Sequence, residues 1–251
     1  MNFTLRAFLL SGGFFAMATT ASATITVIAN FRLGEADPGA VNGSPVNTNA
    51  TNSGGGAVIS TIGSNVLYSG NTGVSGSTRS VDFSSGGYAG SPVTTAADNW
   101  GMEAWVQTDS LTGTRAVVYN GNSANAGMGI YTLNGSYIGL VGGKAFVGGA
   151  VQTNAWTHLA MVVSSGVTTF YVNGLSTGTG PVPNTPAGNF NIGVRPDLGE
   201  QFDGRIDEVR VFTFAAGQFT TSDLQLTSVV PEPGAMSLLG LGLLVTARRR
   251  R

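Results

Sequence analysis

His158 is the single histidine of this 251-residue chain, and cysteine is absent. Zinc sites are built mainly from Cys and His, so zinc chemistry is disfavoured, and disulfides and thiolate nucleophiles are excluded outright. His158 stands in the apolar, β-branched run Trp156-Thr157-His158-Leu159-Ala160, and no G-x-S-x-G elbow accompanies it. It therefore reads as a packed strand residue rather than the base of a serine triad. Glycoside cleavage needs two carboxyl groups flanking one bond. Asp207 and Glu208 are sequence neighbours, which on a strand point to opposite faces unless a bulge re-aims them, and Glu103 has no carboxylate two or four positions away. No catalytic pair is legible. Asp197, Glu200, Asp203, Asp207 and Glu208 do offer the oxygen ligands that calcium prefers, with Asp207 the leading candidate. Arg195, Arg205 and Arg210 are interleaved with them, and ordinary surface ion pairing is the competing account.

A second candidate site lies in Trp100–Gln107, WGMEAWVQ. Alternation directs Trp100, Met102, Ala104 and Val106 to one face and Glu103, Trp105 and Gln107 to the other. An indole between two polar side chains can stack on a sugar ring while its neighbours bond the hydroxyls, so Glu103, Trp105 and Gln107 form a candidate ligand-binding set. The alternative is that Trp105 belongs to the core with its N–H satisfied locally.

The elements that must position these residues are strands. With 38 glycines and only 10% charged residues, the chain lacks the Ala, Leu, Glu and Lys runs of long helices. Asn154–Gly174 reads as a core hairpin broken at Ser164-Ser165-Gly166, and Asn173-Gly174 suits a tight turn into a further strand. Asn134-Gly135 and Gly142-Gly143 divide 128–147 into a three-strand meander. Thr24–Glu35 alternates as a half-buried strand with Ile25, Val27, Ala29, Phe31 and Leu33 on one side, and 36–56 reads as a loop with little to pack. Further short strands are expected at 57–62, 65–68, 79–83, 115–119, 189–194 and 202–212. In the last of these Ile206 has the opposite parity to Val209 and Val211, and a β-bulge near Asp207-Glu208 would bring all three to one face.

Both ends read as addresses. Residues 1–23 carry Arg6, an apolar stretch and Ala21-Ser22-Ala23, a secretory signal peptide with cleavage expected between Ala23 and Thr24. Residues 229–251 hold Pro231-Glu232-Pro233, the apolar 234–247 and four terminal arginines. Fourteen helical residues span about 21 Å, short of a ~30 Å hydrocarbon core, so 234–247 suits a transient transmembrane helix with the arginines left on the cytoplasmic side. Without these ends the middle carries a net charge of about −5 and no basic stripe, which disfavours nucleic acid as a partner.

The order of Pro231-Glu232-Pro233, apolar helix and arginine cluster resembles the PEP-CTERM sorting signal of Gram-negative bacteria. That resemblance implies recognition and processing by a membrane-embedded exosortase. Between the ends, W-x-H-L-A with F-Y-V-N-G and the terminal F-D-G-R-I-D-E-V-R resemble laminin G-like domains. They imply an all-β, two-sheet antiparallel jelly-roll sandwich of the concanavalin A type over 24–228, and relatives of this kind often bind calcium. Glucanases that share the fold carry an E-x-D-x-x-E type of strand, which this chain lacks. The resulting expectation is a non-enzymatic, exported surface or extracellular-matrix protein that binds polysaccharide or another matrix component. A structural component without a specific ligand is the alternative, and a glycan-cleaving enzyme is disfavoured.

Overall fold

Two-residue turns set the connectivity. In the computed structural model Asn134-Gly135, Gly142-Gly143, Ser165-Gly166 and Asn173-Gly174 all have both residues at positive φ, between 44° and 82°. Such turns match the right-handed twist of the strands they join. The structure describes residues 25–227 except 47–48, 57, 94, 96–97, 123–126, 182–184, 186 and 196. Ala23, Thr24, Pro231, Glu232, Pro233 and the apolar segment 234–247 lie outside the described residues. Among the described residues no helix is long and apolar enough to cross a membrane.

The strands are β1 (Thr26–Phe31), β2 (Ile59–Ser69), β3 (Ser80–Gly90), β4 (Trp100–Thr108), β5 (Thr114–Asn120), β6 (Met128–Leu133) and β7 (Ser136–Val141). They continue with β8 (Lys144–Ala150), β9 (Trp156–Ser164), β10 (Val167–Val172), β11 (Leu175–Gly180), β12 (Phe190–Ile192) and β13 (Gly204–Thr213). All named pairings are antiparallel, in the order β11-β10-β9-β4-β13-β3-β12-β5-β6-β7-β8, with β1 on β13 and β2 on β3. The expected jelly-roll sandwich is present, and its two layers are one continuous sheet that curls back on itself through the short β12.

The main core lies between the layers. Met102, Ala104 and Val106 of β4, with Leu159, Met161 and Val163 of β9, meet Val118, Met128, Ile130 and Tyr137 from the opposite layer. Fully burying an apolar side chain of this size stabilises by about 1.5–3 kcal/mol, so the pattern of alternation dictates which face turns inward. The sheet's ends approach each other at β8 and β11. A Cβ at Gly178 would lie 2.1 Å from the Val147 carbonyl oxygen, so this closure requires glycine.

Three expectations change. The pairing of β1 with β13 shifts between Val27 and Ala29, so Ala29, Phe31 and Leu33 enter the main core while Ile25 packs on a second cluster outside it. The separate strands expected at 57–62 and 65–68 are one strand, β2, paired along its length with β3. The segment 36–56 is packed, with Val46 and Ala50 in the core. Asp37 anchors it by accepting from the Thr51 N–H at 2.7 Å and from the Tyr68 hydroxyl at 3.2 Å.

Candidate functional site

The β-bulge lies where parity required it. Pairing of β13 with β4 shifts between Asp207 and Arg210, Glu208 takes a φ of 48°, and Ile206, Val209 and Val211 all enter the main core. Asp207 and Glu208, which an unbroken strand would send to opposite faces, instead gather with Glu35, a carboxylate oxygen of each lying within 4.8 Å of the others.

Each of the three has one oxygen held. Glu35 Oε1 accepts from the Ser77 hydroxyl at 2.6 Å, the Thr78 N–H at 2.6 Å and the Arg79 N–H at 2.9 Å. Asp207 Oδ2 accepts from the Gly73 N–H at 3.0 Å, and Glu208 Oε1 from Arg32 Nε at 3.1 Å. Burial pushes Asp207 well above the usual carboxylate range against the pull of the Gly73 N–H. Burial likewise raises Glu208 to about 7, with the Arg32 guanidinium opposing it.

The other acids singled out in the sequence go elsewhere. Asp197 pairs with Arg195, which also holds Glu200 at 2.9 Å, and Asp203 lies 3.7 Å from Arg115. These are partly exposed pairs of the kind that contributes little to stability. Glu35 carried no signal in the sequence, because nothing local to it announces a partner on the last strand.

Glu103, Trp105 and Gln107 do share a face, on the outside of β4, and that face is largely covered. Glu103 is fully buried. Its carboxylate pairs with Arg210, lies 2.8 Å from His158 Nε2 and accepts from the Gln225 N–H at 3.1 Å. Burial would raise its pKa, but Arg210, His158 and the Gln225 N–H outweigh that and hold it below the usual range. His158 is a packed strand residue, as its surroundings in the sequence indicated, and its ring meets Trp105 edge-on at 5.4 Å. The Trp105 Nε1–H donates to the Gln225 carbonyl at 2.8 Å, the local satisfaction weighed as its alternative reading. A His–carboxylate pair resembles part of a hydrolase triad, but His158 Nδ1 has no hydrogen-bond partner and no hydroxyl nucleophile stands at it.

A rim of this face remains partly open. Trp156, diagonal to Trp105 across the β4–β9 pair, is half-buried like Trp105. Gly73 fits between the two indoles, where a Cβ would meet Trp105 Cβ at 2.7 Å and Trp156 Cε3 at 2.8 Å. Asn71 joins them to the polar groups beside them. It accepts from Trp156 Nε1 at 2.9 Å and donates to Gln107 Oε1 at 2.9 Å. Arg205 also donates to Gln107 Oε1, at 2.8 Å, and pairs with Asp82 at 2.7 Å.

An all-β sandwich whose layers are one curled antiparallel sheet, ending in the bulged I-D-E-V-R strand, defines a concanavalin A-like domain. The chain belongs to the concanavalin A-like lectin/glucanases superfamily, whose profile matches residues 76–218. A PEP-CTERM protein-sorting motif matches residues 229–251 and marks an exported protein handled by the exosortase system. Among solved structures, domain 4 of AbnA, a GH43 extracellular arabinanase from Geobacillus stearothermophilus in complex with arabinotriose, superposes with a TM-score of 0.60 at 18% identity, covering 82% of this chain and 100% of that one. Trypanosoma rangeli sialidase gives 0.51 at 14% identity over 74% of this chain, and the binding domain of botulinum neurotoxin serotype D gives 0.54 at 12% over 80%. The match spans only 30% of the sialidase and 50% of the neurotoxin domain. At these identities the likeness shows the fold, which binding modules and glycoside hydrolases share. Comparison with curated proteins finds no match.

Proposed function

We propose that this chain is a non-enzymatic, exported surface or matrix protein of a Gram-negative-type bacterium whose sandwich binds polysaccharide at the rim formed by Trp105, Trp156 and Asn71, with the buried Gln107 holding Asn71 from below. The observation that carries the reading is the pair of half-buried indoles on either side of Gly73, with amide and guanidinium groups beside them. Stacked sugar rings favour such surfaces, which combine an apolar platform with polar groups that bond the hydroxyls. Glu103 acts from beneath as a support for Trp105 rather than as a contact. Against cleavage stands the burial of the tightest carboxylate group, since Asp207 and Glu208 are closed to solvent. The neighbour crystallised with arabinotriose is a domain of a larger arabinanase and is consistent with a glycan partner.

In this reading 1–23 is removed on export, 24–228 is the folded domain, and 229–251 anchors transiently in the inner membrane before exosortase processing. The covering of the outer face by the chain's own C-terminal segment favours a second reading, a structural surface component without a specific ligand. Binding of the full chain to a glycan array and to the producer's exopolysaccharide separates the two. Saturable binding that falls at least tenfold in Trp156→Ala supports the first, whereas no saturable binding to any glycan sinks it and leaves the second.

A further inference from the structure

Both indole N–H groups at the rim are engaged within the protein. Trp105 Nε1 donates to the Gln225 carbonyl at 2.8 Å, and Trp156 Nε1 donates to Asn71 Oδ1 at 2.9 Å. What the two half-buried rings offer a ligand is therefore apolar ring surface. Gln107 is engaged as well. Its Oε1 accepts from Asn71 Nδ2 and from Arg205, and its Nε2 donates to the Asn154 carbonyl at 3.2 Å. Asn71 is exposed, gives one amide proton to Gln107 and accepts once at Oδ1. A carboxamide has two such protons and two acceptor lone pairs, so Asn71 keeps one of each for a ligand. That capacity is uncharged and matches a hydroxyl, which both donates and accepts.

Among the described residues, Arg205 is the cation that reaches the rim's polar groups, and it is committed elsewhere. It donates to Gln107 Oε1 at 2.8 Å, pairs with Asp82 at 2.7 Å and lies 3.7 Å from Asp109. One guanidinium thus faces two carboxylates. All three side chains are between 25% and 35% exposed, open enough for their charge to be felt by a polymer at the rim. Burial raises the Asp109 carboxyl above its ordinary value, Arg205 opposes this, and the negative charges of Asp82 and Asp203 add to the rise. Asp203 therefore belongs to the same acidic group, although Arg115 lies 3.7 Å from it. Beneath Gly73 the cluster of Glu35, Asp207 and Glu208 holds further acids, with Arg32 paired to Glu208. Arg79 lays its stem against Gly34 and donates to the Thr78 carbonyl at 2.7 Å.

We infer that the rim, taken as the glycan site proposed above and resting on that reading, selects neutral polysaccharide and discriminates against polymers that carry carboxylate or sulfate groups. The indoles take the C–H faces of uncharged rings, and Asn71 bonds a hydroxyl. Arg205 is the specificity residue, withheld from the ligand by Asp82 and Asp109. An anionic sugar needs an unengaged guanidinium or ammonium to replace the water it gives up. Here it meets an excess of carboxylates instead, whose field extends ~10 Å at 0.1 M salt. Drawing Arg205 to the ligand would leave Asp82 and Asp109 without their cation.

The test measures binding of the full chain to three neutral polymers, β-glucan, galactomannan and arabinoxylan, and to three acidic ones, polygalacturonate, alginate and heparin. Each is titrated at about 20 mM and about 300 mM NaCl, which separates screened from unscreened charge. Saturable binding is expected among the neutral polymers, with a Kd that changes less than about twofold between the two salts. Oxidising the primary hydroxyls of the tightest neutral ligand to carboxylates is expected to raise Kd at least tenfold at low salt and by less at high salt. The double variant Asp82→Asn/Asp109→Asn, which releases Arg205, should cut the ratio of oxidised to unoxidised Kd at least threefold. An acidic polymer bound as tightly as any neutral one, and released by Trp156→Ala, overturns the selectivity and leaves the glycan reading standing. An unchanged ratio in the double variant also overturns it. No saturable binding to any of the six polymers or to the producer's exopolysaccharide removes both.

Discussion

The backbone N–H of Gln225 donates to Glu103 Oε2 at 3.1 Å, joining residues 122 positions apart. Trp105 returns the contact by donating its indole N–H to the Gln225 carbonyl at 2.8 Å. The last described segment is thereby fastened to β4 at one residue through both of its backbone polar groups. Arg210 adds a bond to the Asp223 carbonyl at 2.6 Å. Leu224 packs nearby with Phe212 and Phe214 in the outer apolar cluster. Asp223 and Gln225 are thus fastened to the outer face of β4 and β13.

Removing the anchor should be costly. Glu103→Ala leaves Arg210 and His158 buried without their partner, and loss of one member of a buried ion pair costs about 3–5 kcal/mol. Urea unfolding of the variant is expected to show a midpoint well below that of the unaltered chain. A change under 1 kcal/mol would mean that the carboxylate is not paired as described.

Glu103 should also govern acid sensitivity. Its folded pKa lies below the ordinary value of 4.5, so its stabilisation is complete above that pH and is lost as the pH falls towards the folded value. Stability measured from pH 6 to pH 3 is expected to decline below about 4.5. Glu103→Gln starts lower and should show a flatter decline over the same interval. Equal slopes would show that other carboxylates dominate.

Gly73→Ala tests the seating of the loop between the indoles. The new Cβ would stand 2.7 Å from Trp105 Cβ, and forcing a methyl into such packing costs about 1–3 kcal/mol. Lower stability is expected together with altered tryptophan fluorescence. Leu175→Ala, at a side chain 72% exposed on β11, should change stability by no more than about 0.5 kcal/mol.

Gly73 also links the indole rim to the buried carboxylate cluster, since its N–H holds Asp207 while its Cα separates Trp105 from Trp156.

Much of the sandwich was legible in local patterns. Asn134-Gly135, Ser165-Gly166 and Asn173-Gly174 announced turns because few residue pairs tolerate positive φ twice in succession. The bulge in β13 followed from parity alone, since one face had to accept Ile206, Val209 and Val211. The shift in β1 between Val27 and Ala29 left no such trace, because its residues are apolar on both sides of it. The packing of 36–56 was equally hidden, because Asp37, Val46 and Ala50 are held by partners on other segments rather than by a periodic pattern.

The candidate sites divide in the same way. The sequence by itself determined the strand class, the hairpin turns, the two-faced character of Trp100–Gln107 and the sorting motif, each encoded within a few residues by backbone preference or alternation. Only the tertiary structure decided that Glu103 supports the C-terminal segment, that Gly73 seats Trp105 against Trp156, and that Asp207 and Glu208 meet Glu35. Those meetings join residues far apart in the chain, such as Glu103 and Gln225 at a separation of 122 or Arg32 and Glu208 at 176, and no local pattern specifies them. They depend on which strands the curled sheet lays side by side.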